Sequence, residues 1–109
     1  MIVTERNPGN DRNLAWDAEH DEDLIRVGAG SDPQAVAAAI SNAFYENQDV
    51  TMRAVGAAAV NQAVKAIAIS RGYIATRGMD LICRPGFTNV SASDGERQIS
   101  AIVFRLSLL

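Results

Sequence analysis

Histidine and cysteine are almost missing from this chain: His20 and Cys83 are the only ones. One cysteine excludes an internal disulfide framework. It sits in the apolar stretch "DLICR" and reads as a buried core thiol in a reducing compartment. The one histidine lies in an acidic stretch, so no Cys–His nucleophile pair is in sight. His/Cys/Asp/Glu spacings of a metal site are lacking, as are a catalytic triad and a pair of carboxylates in apolar surroundings. Asp80 and Glu96 stand isolated and read as surface or turn residues. The phosphate loops GxxxxGK[ST] and GxGxxG are absent. These gaps argue against an enzyme, a cofactor or a bound metal. Aromatics make up 6% of residues, and the spacing of an aromatic RNA-recognition platform is missing. Tyr73 and Phe87 read as core or flanking residues. No apolar run approaches the ~20 residues that span a bilayer. The opening "MIVTERNPGNDRN" lacks the apolar core of a signal peptide. The expectation is a cytoplasmic protein with no membrane partner.

What the chain does have is an uneven charge. Its 109 residues, enough for one domain with a single core, carry a net charge of −3. The first 23 residues hold seven acids (Glu5, Asp11, Asp17, Glu19, Asp21, Glu22, Asp23) against Arg6 and Arg12. The rest holds eight basic and six acidic residues, a net +2. Residues 1–22, rich at first in Asn, Asp, Gly and Pro, read as an acidic, disordered extension; residues 23–109 read as the folded domain. Within the extension, "LAWDA" places Leu14 and Trp16 together. Trp16 is incidental, or docks on the body, or forms a short partner motif with Leu14. The acidic charge either keeps the protein soluble or competes with nucleic acid for the basic body as an intramolecular mimic.

Element signals follow in order. "DLIRVGA" (23–29) predicts a first strand. "GSDP" supplies a cap at Ser31 or Asp32, with Pro33 in the first turn of a helix. "QAVAAAISNAFYEN" sets Val36, Ile40 and Phe44 four apart on one core face, with Ala43 beside them. "DVTMRAV" (49–55) alternates and predicts a second strand. A second helix, "GAAAVNQAVKAIAISRGY" (56–73), follows. Residues 79–93 predict a third strand, with a bulge or kink at Pro85–Gly86. "SDGE" is a hairpin turn at Asp94–Gly95. Residues 97–106 predict a fourth strand, apolar on both alternating sets and therefore covered on both faces. The fold class is α/β: a two-layer βαβαββ sandwich with two helices on one face of a four-stranded mixed sheet. Two helices cover one face only, and a second copy of the chain is the economical cover for the rest. Ile69, Ile102 and Phe104 are the expected dimer-interface residues.

The second helix carries the polar interest. At 100° per residue, Val60, Val64 and Ile67 fall in one sector, the expected sheet-facing core. Asn61, Gln62, Lys65 and Ile69 lie on the other side among alanines. Such a face suits close contact with a twofold partner or a nucleic-acid backbone. Asn61 and Gln62 fit hydrogen bonding inside a dimer interface as well as ligand contact. Arg53 precedes the helix, and Gly56 allows a tight strand-to-helix turn. A helix N-terminus beside an arginine offers a phosphate site, though any strand–Gly–helix junction shares that feature.

"SDPQAVAAAI", "AVGAAAVNQAVKAIAISRGYIA" and "GMDLICRPGFTNV", then a hairpin and an apolar final strand, resemble the stage V sporulation protein S family of bacteria over about residues 24–106. That family is similar in fold to Alba-type dimeric nucleic-acid-binding proteins, matched in outline by Arg53, Gly56 and Lys65. The resemblance implies an Alba-like fold, a homodimer, and DNA or RNA binding tied to developmental regulation. Alba-type proteins also use basic residues in the first strand–helix loop and in the hairpin arms. Here "GAGSDP" has no Lys or Arg, and "SASDGER" has only Arg97.

Two functions follow. One is a dimeric nucleic-acid-binding regulator that contacts phosphates through a modest basic face. Its site residues would be Arg53, Gly56, Asn61, Gln62, Lys65, Arg71, Arg77, Arg84 and Arg97. The other is a non-enzymatic protein–protein interaction module that regulates development without nucleic acid, through the dimer surface or the N-terminal segment.

Overall fold

The computed structural model describes residues 24–92 and 95–109. The expectations for residues 1–22, including Leu14, Trp16 and His20, lie outside them, as does Asp94 of the hairpin turn. The described elements are β1 (Ile25–Val27), α1 (Pro33–Tyr45), β2 (Val50–Ala54), α2 (Ala57–Ala75), β3 (Leu81–Ser91) and β4 (Gln98–Leu108). The sheet order is β1-β2-β4-β3. β1 runs parallel to β2, and β4 is antiparallel to both its neighbours. Both helices pack against one face. This is the expected two-layer βαβαββ sandwich.

Local chemistry sets the helix limits. Asp32 caps α1, accepting a hydrogen bond from the Gln34 N–H at 3.0 Å, and Pro33 fills the first turn. Asn47, at φ 60°, adopts the left-handed conformation that carries the chain out of the helix. α2 starts from Gly56, whose φ of 91° and ψ of 156° suit only glycine. Gly78, at φ 78°, turns the chain into β3.

Two expectations are corrected. β3 carries no bulge: its register with β4 runs unbroken from Leu81↔Leu108 to Ser91↔Gln98, straight through Pro85↔Phe104. β3 is an edge strand, where a missing N–H can face outward without breaking a ladder. The second correction concerns α2. Its buried residues are Ala59, Ala63, Ala66, Ser70 and Ile74. Val60 and Ile67 flank that stripe half-buried, and Val64 is 50% exposed. Alanines let α2 lie close to its neighbours, where valines would hold it away. The Ser70 hydroxyl approaches the Ala37 carbonyl of α1 at 3.5 Å, which marks how near the helices come.

The alternation of β4 also resolves. Ile102, Phe104, Leu106 and Leu108 join the core under the helices. Phe104 is 4% exposed and Ile102 half-buried in that core. Ala101 and Val103 point to the opposite face, where Val103 packs with Leu24.

The small-residue stripe gives a direct test. Ala66→Leu should overpack the helix seam and destabilise the fold by about 1–3 kcal/mol. Val64→Ala, on the exposed side, should stay within about 0.5 kcal/mol of the parent. Urea unfolding followed by circular dichroism measures both; equal effects would return Val64 to the core.

Candidate nucleic-acid interface

The expected site residues separate into groups. Asn61 and Lys65 are exposed on the outer side of α2. Gln62 is half-buried, and its Nε2 donates to the Ser31 carbonyl at 2.8 Å. That bond ties α2 to the loop before α1, which gives Gln62 a structural task. Gly56 is exposed, and α2 has no side-chain cap. Arg71 is held by Asp80, with Nη2 3.0 Å from Oδ1. The Arg77 guanidinium lies 3.8 Å from the centroid of the Tyr45 ring. Arg97 is exposed just ahead of β4. No single surface gathers them all.

Strand register makes a different grouping. Arg26 of β1 lies opposite Arg53 of β2, and Arg84 of β3 lies opposite Arg105 of β4. Arg53 is also opposite Val103, and Arg105 is also opposite Thr51. All four arginines therefore project from the sheet face away from the helices, one from each strand. Arg26 and Arg84 are exposed; Arg53 and Arg105 are half-buried. Neither half-buried guanidinium is a free cation. Asp49 lies just ahead of β2. Arg26 and Arg105 were absent from the sequence reading. Their signal was parity: the arginines occupy positions that alternate against the core residues of each strand.

Like charges directly opposite across a ladder destabilise a sheet, because their side chains emerge about 5 Å apart. Here that happens twice. The arrangement is electrostatically sensible where an anion joins the face, and a guanidinium fork suits phosphate or carboxylate oxygens.

This fold and chain order have known counterparts. Residues 23–108 match the family model described as stage V sporulation protein S. The chain belongs to the SpoVS family. Among solved structures, Alba from Thermoplasma volcanium is similar in fold: TM-score 0.55 and 22% identity, covering 77% of this chain and 98% of that one. In this SpoVS chain no described helix is long and apolar enough to cross a membrane. Among the described residues, no cluster of His, Cys, Asp and Glu could hold a metal ion.

Cys83 of this SpoVS chain is half-buried against the core under α2. Burial raises its thiol pKa above the ordinary 9.0, since the thiolate loses solvation. A raised folded value means that the native state keeps the proton longer than the unfolded chain. The resulting stability is fully present below pH 9.0 and is lost as pH rises through the folded value. Urea midpoints should therefore fall above pH 9.0, less so in Cys83→Ala. Alkylation of the native thiol at pH 8 should be slower than that of a free cysteine.

Proposed function

We propose that this SpoVS-family protein is a nucleic-acid-binding regulator that acts as a homodimer and contacts phosphates through cations of its sheet. One observation carries the reading: each of the four strands contributes an arginine to one face, in two directly opposed pairs. A polyanion relieves both repulsions at once. Arg97, exposed beside the hairpin, extends the contact surface, whereas Lys65 and Asn61 stand in the opposite layer, on the outer side of α2. Arg71 is held by Asp80, Arg77 is engaged with Tyr45, and Gln62 supports the loop. The Alba-like fold and the family's description as a stage V sporulation protein support this reading. The chemistry is recognition without catalysis, and no cofactor enters it.

Dimerisation follows from exposed apolar side chains. Phe87 is 65% exposed on the helix side of β3, and Val64 stands out from α2, with Ile69 half-buried nearby in sequence. Paired across a twofold axis, such residues bury apolar area at about 25 cal/mol per Å². The same surface supports the second reading, a protein–protein interaction module that regulates development without nucleic acid.

Two measurements follow. Fluorescence anisotropy with single-stranded RNA and duplex DNA, in a salt series, should show binding that weakens as salt rises. Arg26→Ala and Arg84→Ala should each flatten the salt slope by about one, whereas Lys65→Ala, in the opposite layer, should leave it unchanged. An absence of binding at low salt would overturn the nucleic-acid reading and favour the interaction module. Sedimentation equilibrium should give a dimer, and Phe87→Asp should shift it to monomer without loss of helicity.

A further inference from the structure

Toward their C-terminal ends, α1 and α2 enclose a depression of about 390 Å³. That volume falls in the range of about 300–1,000 Å³ typical of small-molecule sites. Helical spacing builds it. Ala38, Ser41, Asn42 and Tyr45 recur at i, i+3, i+4 and i+7 along α1, so they share one side of that helix. Tyr73, Thr76 and Arg77 do the same at the end of α2. Ala38 and Ser41 are small and leave the space between the helices unfilled. Contacts across the helices hold the larger groups in place. The Tyr73 hydroxyl donates to Gln34 Oε1 of α1 at 3.2 Å, and the Arg77 guanidinium lies over the Tyr45 ring, 3.8 Å from its centroid. The Thr76 hydroxyl is already used, because it donates to the Tyr73 carbonyl at 2.7 Å.

Two groups of this depression lack their ordinary partners. Ser41 is 4% exposed, and its Oγ has no hydrogen-bond partner. Buried hydroxyls nearly always have one. Inside a helix the usual acceptor is the carbonyl four residues back, here that of Ala37. That carbonyl serves the ladder of α1 and also takes the Ser70 hydroxyl of α2. Ser41 is left as a donor without an acceptor. Arg77 is the second group. A cation near a helix C-terminus is ordinary, since it offsets the dipole. Arg71, earlier in α2, goes on to pair with Asp80. Among the described residues no carboxylate pairs with Arg77, and no Asp or Glu lines the depression. A guanidinium resting on a ring keeps its in-plane N–H groups for an acceptor. With the exposed amide of Asn42, the lining is rich in donors, one of them charged, beside aromatic surface.

We propose that the depression between α1 and α2 binds a small planar organic anion. Its carboxylate or phosphate oxygens accept from Arg77 and the Asn42 amide, and one of them gives the Ser41 hydroxyl its missing partner. Its ring lies against Tyr73, which is 45% exposed, in the offset contact that aromatic pairs prefer. The site stands in the helix layer, across the sheet from the opposed arginines. It does not depend on the nucleic-acid reading, and it gives the chain a ligand input separate from that face.

Adenosine monophosphate and benzoate are the probes, titrated into the full chain at fixed ionic strength and followed by amide NMR. One of them should shift the signals of Ser41, Asn42, Thr76 and Arg77 and reach saturation. The stronger of the two tells a phosphate ester from a carboxylate. Inorganic phosphate and adenosine, each carrying half of the chemistry, should bind more weakly than the whole. Arg77→Gln should weaken the affinity roughly tenfold or more, as loss of a charge-assisted hydrogen bond does. Arg71→Gln makes the same charge change in the same helix but outside the depression, and should leave the affinity as it is. Ser41→Ala should weaken binding about threefold or more without lowering the urea midpoint, because the hydroxyl holds nothing in the protein itself. Shifts that never saturate with either probe would overturn the site, as would equal losses in Arg77→Gln and Arg71→Gln. Either result would leave the nucleic-acid reading standing, since its opposed arginines lie in the other layer.

Discussion

β4 has to be covered twice. It lies between β2 and β3, it is apolar on both alternating sets, and its side chains at Ala101, Val103, Phe104 and Leu106 are all buried. The helix side is met by α1 and α2, which supply Ile40, Phe44, Ile74 and the alanine stripe to one core. The other side is met by no described element, and it is there that the arginines stand. Much of this chain's chemistry follows from that asymmetry. A sheet with one ordinary polar face would hold no such concentration of guanidiniums.

The alanine stripe of α2 is the complementary constraint. Ala59, Ala63 and Ala66 let the helix settle against sheet and neighbour, and Ser70 comes close enough to meet the Ala37 carbonyl. A close helix leaves little room for large side chains between the layers. Bulk is displaced outward, which is why Val64 is exposed and why α2 presents an apolar outer surface. Gln62 then joins α2 to the Ser31 carbonyl, which ties the helix after β2 to the loop after β1.

Element order and the capped start at Asp32–Pro33 were legible because each rests on local chemistry. A cap, a helix-starting proline and a period of two are written within a few residues. The side of α2 that packs was not legible in this way. Hydrophobic periodicity ranks Val64 above Ala63, whereas close packing prefers the smaller residue. The bulge expected at Pro85 failed for a related reason, since only the strand order tells whether a proline sits at an edge. Which alternating set of β4 the helices take was not legible either, because both sets are apolar. The arginine face was half legible: Arg53 and Arg84 were picked out one by one. Arg26 and Arg105 entered only when register paired them, because pairing is non-local information.

Charge distribution joins these points. A net charge of −3 describes the whole chain and hides two opposed regions. Arginines placed opposite arginines concentrate positive charge on one face, so the face is sensitive to any anion within reach. A phosphate backbone suits such a face, because its charges repeat at regular spacing and its counterions are released on binding. Salt would then weaken the contact in proportion to the number of phosphates that the arginines neutralise.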